Sequence, residues 1–161
     1  MNGLLPRAVL AFLALPGVVA FLVPLFLIAP DESGVFNLWR GFVPLTLGVV
    51  GLLWCVREFY VAGRGTLAPW SPPQALVVSG LYRFSRNPMY VAVTALVVGQ
   101  GLLFARIGIL LYGAVLWLCF HIFVIAYEEP TLRRTFGASF ERYLANVPRW
   151  VPRLRPWVEQ S

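Results

Sequence analysis

Apolar residues fall in four long blocks separated by short polar breaks. The first runs from about Ala8 to Ala29, the second from about Phe42 to Ala62, the third from about Pro88 to Ala105, and the fourth from about Ile107 to Tyr127. Each approaches the roughly 20 helical residues that cross a hydrocarbon core of about 30 Å. The pattern predicts an all-α, polytopic membrane protein with four transmembrane helices. A cleaved signal peptide fits the first block poorly, because the run is long and no small-residue cleavage site precedes Pro30. Pro16, Gly17, Pro24, Pro44, Gly99 and Gly101 lie inside the blocks, and membrane helices tolerate such residues. Ala105-Arg106-Ile107 leaves room only for a tight antiparallel hairpin between the third and fourth spans.

The polar remainder divides the chain into an N-terminal two-span part (1–62), a half that holds the candidate chemistry (63–152) and a basic tail (153–161). Gly63 to Pro73 is rich in Pro and Gly and cannot be a helix. Its Trp70 suits the headgroup level. From Thr131 to Ala145, Leu132, Phe136, Phe140, Tyr143 and Leu144 recur at helical spacing, which predicts a C-terminal amphipathic helix lying in the membrane interface. Val147 to Pro156 reads as an extended, basic, aromatic segment along the surface.

Composition agrees with the pattern. Of 161 residues, 59% are hydrophobic and 12% charged, and the mean hydropathy is +0.75. A chain this small could not bury so much apolar surface in a soluble globule. All 13 basic residues are Arg, which excludes a Schiff-base or phosphate-loop lysine. A single His, together with Cys55 and Cys119 inside apolar runs, leaves no metal-ligand spacing. Eleven of the Arg lie before the first span, between the second and third, or after the fourth; Arg40 and Arg106 lie on the other side. The positive-inside rule then places both termini and Gly63–Asn87 in the cytoplasm, as for a bacterial inner membrane. The basic balance thus reads as topology and attraction to lipid headgroups, not as a nucleic-acid site.

Candidate chemistry gathers on that cytoplasmic side. Arg83 and Arg86 lie just before a helix start for which Asn87 is a suitable cap and Pro88 a suitable first residue. A helix N-terminus favours anions, and Arg adds bidentate recognition of carboxylate or phosphate. Gly99-Gln100-Gly101 permits close approach of a helix or a ligand. His121 and Glu128 are seven residues apart, so they share a helix face at about 20° and about 10 Å. Glu128 and Glu129 disfavour each other's ionisation and oppose the helix dipole. Arg83, Arg86 or a cationic ligand would resolve that conflict.

Gly80-Leu-Tyr-Arg-Phe-Ser-Arg-Asn-Pro-Met-Tyr90 resembles the signature that opens the catalytic half of the isoprenylcysteine carboxyl methyltransferase and phospholipid methyltransferase superfamily. Glu128-Glu-Pro-Thr-Leu-Arg-Arg-Thr-Phe-Gly137, with Phe140, Tyr143 and Val147-Pro-Arg149, resembles its C-terminal signature. Many carboxyl methyltransferases of the superfamily carry His where this chain has Asn87. The resemblance implies S-adenosylmethionine as methyl donor. It associates Gly99, Gly101, Glu128 and Glu129 with donor binding and maps an Arg-x-Pro-x-Tyr element onto Arg86, Pro88 and Tyr90. Arg83 or Arg86 would take the donor carboxylate, and Tyr82 or Tyr90 would supply hydroxyls or cation–π faces. Arg86, Tyr90, His121 and Glu128 are the candidate catalytic residues; His121 or a Glu would be the general base for an amine acceptor. The acceptor expected is lipid-like or isoprenylcysteine-like; isoprenylated cysteine, a phospholipid amine, a quinone-like lipid and a small thiol all stay open. An NADPH-dependent sterol-type reductase and a non-enzymatic lipid-binding scaffold are the alternatives.

Overall fold

A proline inside an apolar helix frees carbonyls that something else must satisfy, and the N-terminal part is organised around one such case. The computed structural model describes residues 13–27, 38–62 and 75–158. Its first helical stretch is π-helical over Leu13–Leu22 and continues as α1, Val23–Leu27. Pro24 offers no N–H to the carbonyls four and five residues before it, those of Ala20 and Val19. Side chains from other helices serve both: Gln100 Nε2 donates to the Ala20 carbonyl at 2.6 Å, and the Tyr112 hydroxyl donates to that of Val19 at 2.9 Å.

Helix α2 is Leu38–Val61, α3 is Pro88–Leu103 and α4 is Ile107–Phe123. Glycines set the approach of α2 to α3. A Cβ on Gly41 would lie 2.6 Å from the Leu103 backbone, on Gly48 2.7 Å from Leu96 N, and on Gly99 2.6 Å from Leu45 N. Leu52, Ala92, Val93, Leu96, Val97, Ile109 and Leu116 form the buried core between these helices. The α3–α4 hairpin turns at Phe104–Arg106, where Arg106 N donates to the Gly101 carbonyl at 2.9 Å.

Among the described residues two helices, Trp39–Val61 and Ile107–Phe136, are long and apolar enough to cross a membrane. The expectation of four such spans is corrected here. The first and third blocks appear as shorter apolar helices, Gly17–Leu27 and Pro88–Leu103. Sixteen residues of α3 rise only about 24 Å, because Pro88 fixes its start and Phe104 ends it. The apolar side chains of α2 and α4 point outward: Phe42, Leu47, Leu53, Leu111, Val115, Leu118 and Ile122 are all exposed. Ala8–Phe12, Ile28, Ala29 and Gly63–Pro73 with Trp70 lie outside the described residues.

The expected single helix over 131–145 is corrected as well. The chain does not break at Pro130; α4 continues through π-helical Val124–Glu128 into α5, Glu129–Phe136. It breaks instead at Gly137, whose φ of +51° ends α5, and α6 runs over Ala138–Asn146. The apolar face predicted for the membrane interface is spent inside the protein. Phe140, Tyr143 and Val147 are buried, with Leu132, Phe136 and Leu144 packed beside Leu76, Val78 and Trp157.

Candidate active site

The segment that enters the site is fixed from α2. Glu58 is buried near the end of α2 and accepts from Trp54 Nε1 at 3.2 Å, from Arg57 Nη1 at 3.0 Å and from the Ser79 hydroxyl. Gly80 follows with φ +54°, and a Cβ there would lie 2.7 Å from Trp54 Nε1 and 2.8 Å from Glu58 Cδ. Only glycine fits this contact. The 3₁₀ turn Gly80–Arg83 then leads to Ser85, Arg86 and Asn87, and α3 starts at Pro88. Asn87 stands at the cap position, but its side chain does not cap the helix. Its Nδ2 donates to the Arg149 carbonyl at 3.1 Å.

A polar cluster closes where α3 begins and the long α4–α5 helix leaves its apolar run. From Ile107 to Tyr127 that run rises roughly 32 Å, so Glu128 and Glu129 stand just beyond a bilayer-length segment. Glu129 lies between two guanidinium groups. Arg86 Nη1 donates to its Oε1 at 2.9 Å, and Arg149 holds both oxygens, Nε to Oε1 at 2.7 Å and Nη2 to Oε2 at 3.0 Å. Glu128 accepts from the Tyr90 hydroxyl at 2.8 Å.

These surroundings drive the two adjacent acids apart. Burial favours the neutral form of both. At Glu129 the Arg149 hydrogen bonds and the charges of Arg86 and Arg149 overrule it, and the carboxyl sits below its usual range. At Glu128 burial prevails over the Tyr90 hydrogen bond, the Glu129 charge adds to it, and the carboxyl is raised. The surroundings therefore favour the ionised form of Glu129 and the neutral form of Glu128.

One of the two cations, Arg149, is supplied by an extended strap that follows α6. Arg86 N donates to the Pro148 carbonyl at 3.0 Å, Arg153 N to that of Phe84 at 2.9 Å and Trp157 N to that of Arg83 at 2.9 Å. The Ser85 hydroxyl reaches the carbonyls of Arg149 and Trp150 at 3.1 and 3.2 Å. The strap thus carries Arg149 onto Glu129. It also places Trp150 Nε1 3.1 Å from His121 Nδ1, with its ring 4.4 Å from that of Trp117.

Arg86, Tyr90, Glu128 and Glu129 are therefore brought together. The other expected site residues lie elsewhere. Arg83 donates through Nε to the Trp157 carbonyl at 2.8 Å. Tyr82 is buried against Cys55, and its carbonyl accepts from the Tyr143 hydroxyl at 2.6 Å. Gly99 faces Leu45 of α2 and Gly101 faces Leu110 of α4; Gly99 stands about 13 Å further along α3 than Tyr90. His121 faces the strap. Sequence reasoning named Arg83 as a possible partner for the acids and gave no role to Arg149, although Val147-Pro-Arg149 marked its place.

The residues suit a ligand carrying both an anion and a cation. Among the described residues, Arg86 Nε is buried without a hydrogen-bond partner, a donor left over for an anion. The pocket formed by Arg86, Asn87, Val124, Glu128, Glu129 and Tyr143 has a volume of only about 20 Å³. It admits the charged group of such a ligand and not its body. A wider cleft of about 480 Å³ opens between Leu53, Trp54, Arg57, Glu58 and Gly80.

The family model for phospholipid methyltransferases matches residues 36–139. The nickel-cobalt-cadmium resistance protein NccN of Alcaligenes xylosoxydans xylosoxydans is 31% identical over 121 residues, covering 75% of this chain and 52% of that protein. The cobalt-zinc-cadmium resistance protein CzcN of Cupriavidus metallidurans is 29% identical over 121 residues, covering 75% and 51%. Protein-S-isoprenylcysteine O-methyltransferase of Schizosaccharomyces pombe is 35% identical over 78 residues, covering 48% and 33%. The chain spans about half the length of the first two relatives and a third of the last. No solved structure matches.

Proposed function

The chain belongs to the phospholipid methyltransferase family, and on that premise we propose that it transfers a methyl group from S-adenosylmethionine to a lipid-like or isoprenylcysteine-like acceptor at the membrane interface. The observation that carries this reading is the Arg86–Glu129–Arg149 cluster with its unpartnered Arg86 Nε, beside Glu128 and Tyr90. It offers an anion site and a cation site side by side, as the amino-acid end of that donor requires. When bound, the donor supplies an activated methyl group on a sulfonium.

The chain's own residues bind and orient. Arg86 takes a carboxylate through Nε. Glu129 holds Arg86 and Arg149 in place, and Glu128, held by the neutral Tyr90 hydroxyl, is the carboxyl left to meet an ammonium. Methyl transfer needs alignment and exclusion of water more than acid–base help. Where the acceptor is an amine, Glu128 is the better-placed base. Its carboxyl is raised, and Tyr90 holds it at 2.8 Å. His121 is committed otherwise. A neutral imidazole that accepts at Nδ1 carries its hydrogen on Nε2, and the Trp150 bond fixes that arrangement. We assign His121 to anchoring the strap.

Two relatives are named for resistance to metals, while the family motifs here carry methyl-transfer chemistry, and it is that chemistry we extend to this chain. A cytoplasmic placement of both termini and of the polar end belongs to the same proposal. Calorimetry on the full chain in detergent, with S-adenosylmethionine and separately with NADPH, tests the donor. Binding of the first alone is expected. Binding of NADPH alone would replace the reading with a reductase.

A further inference from the structure

The strap has two sides, and only one of them is used by the fold. Its inward side carries Trp150, packed at a tilt against Trp117 and bonded to His121, and the backbone N–H groups of Arg153 and Trp157, bonded to Phe84 and Arg83. Its outward side presents Val151, Leu154 and Val158, exposed at 75%, 101% and 62%, with Arg155 exposed among them. Large apolar side chains on an ordered, backbone-bonded segment need a partner that the fold does not supply.

Depth and charge identify it. His121 and Trp117 lie roughly 9 and 15 Å inside the apolar run that ends at Tyr127, so Trp150 reaches down beside α4 to the level of the acyl chains. Residues 142–158 hold Arg142, Arg149, Arg153 and Arg155 and no acid. Apolar side chains interleaved with Arg at that level match an anionic lipid surface.

We propose that the outer face of residues 151–158 docks on the anionic surface of the bilayer, and that this docking holds Arg149 on Glu129 and so sets the donor site. The coupling is direct, because Arg149 and Trp150 precede Val151 in one continuous strap. It rests on the methyltransferase reading for what the site binds; the docking itself does not.

The test places the full chain in nanodiscs of phosphatidylcholine, with or without phosphatidylglycerol. It follows hydrogen exchange over residues 149–158 and affinity for S-adenosylmethionine. Phosphatidylglycerol is expected to slow strap exchange roughly tenfold, given about tenfold per charge or two at such a surface, and to tighten donor binding in parallel. High salt should reverse both. Replacing Val151, Leu154 and Val158 together by Ser, or Arg155→Gln alone, should weaken the response. Exchange that ignores lipid charge overturns the proposal, as does exchange that depends only on the number of protein copies per disc. Strap protection that responds to lipid charge without any S-adenosylmethionine binding would uphold the docking and sink the methyltransferase reading instead.

Discussion

Glu128 and Glu129 are neighbours in sequence and opposites in chemistry. The lowered carboxyl of Glu129 makes it a stabilising anion: its contribution is present above the ordinary carboxyl value of 4.5 and is lost as pH falls through the lower folded value. The raised carboxyl of Glu128 has the reverse sign. The folded state favours its proton, and stability falls as pH rises from 4.5 through the higher folded value. Thermal melts of the Gln variants across pH should therefore diverge. Glu129→Gln should lower stability at neutral pH and flatten the acid limb, since two guanidinium groups lose their shared anion. Glu128→Gln should be at least as stable as the parent at pH 7. For the donor, Glu129→Gln removes a charge-assisted bond of about 1.5–3 kcal/mol, or roughly 10- to 150-fold in affinity by calorimetry. Glu141→Gln, on the exposed face of α6, should leave affinity unchanged. Arg86, Tyr90 and both acids were legible in the sequence through helix spacing and family motifs. Arg149 was not, because an extended strap has no periodicity to show which helix its side chain reaches.

At the scale of elements, the helices hold together through few polar contacts and several close backbone approaches. Gln100 replaces the donor that Pro24 lacks. Gln100→Leu keeps the volume but leaves the Ala20 carbonyl unsatisfied, at a cost of about 1–3 kcal/mol in denaturation from detergent. Gly48→Ala would press a methyl group on the Leu96 backbone at 2.7 Å and should cost about 1–3 kcal/mol. Gly108→Ala is the control. A Cβ there meets nothing within 4 Å, and helix propensity should make the change neutral or stabilising by up to about 1 kcal/mol. Hydropathy located these helices well, because apolar runs depend only on composition. It could not tell a bilayer-length helix from the 16 residues of α3, nor show that Gly137 would adopt a positive φ and divide the last amphipathic run. It also could not show that this run's apolar face meets Leu76 and Val78.

For the whole molecule, an exposed apolar belt on α2 and α4 and an uneven distribution of Arg frame a polar end that holds every acid of the candidate site. The belt reads directly from composition; the sidedness rests on the Arg placement alone. Impermeant maleimide tests it on intact cells, with Cys placed at two positions in turn. Gly108→Cys, in the α3–α4 hairpin region, should label from outside, and Glu141→Cys only after permeabilisation. The opposite result would invert the topology and move the site to the outer face.

The dependence of the site on residues 148–157 also sets an order of events during synthesis. Every helix that frames the acids is translated before the strap that neutralises Glu129. Until Arg149 emerges, Arg86 is the one guanidinium that the finished site has placed beside that carboxylate, and His121 waits for Trp150. Translation order therefore makes the strap the last part of the site to be made, and the pairing of Glu129 is complete only once it docks. A ribosome stalled between Asn146 and Arg149 would leave a chain that carries every helix of the site yet lacks the contacts that close its polar end.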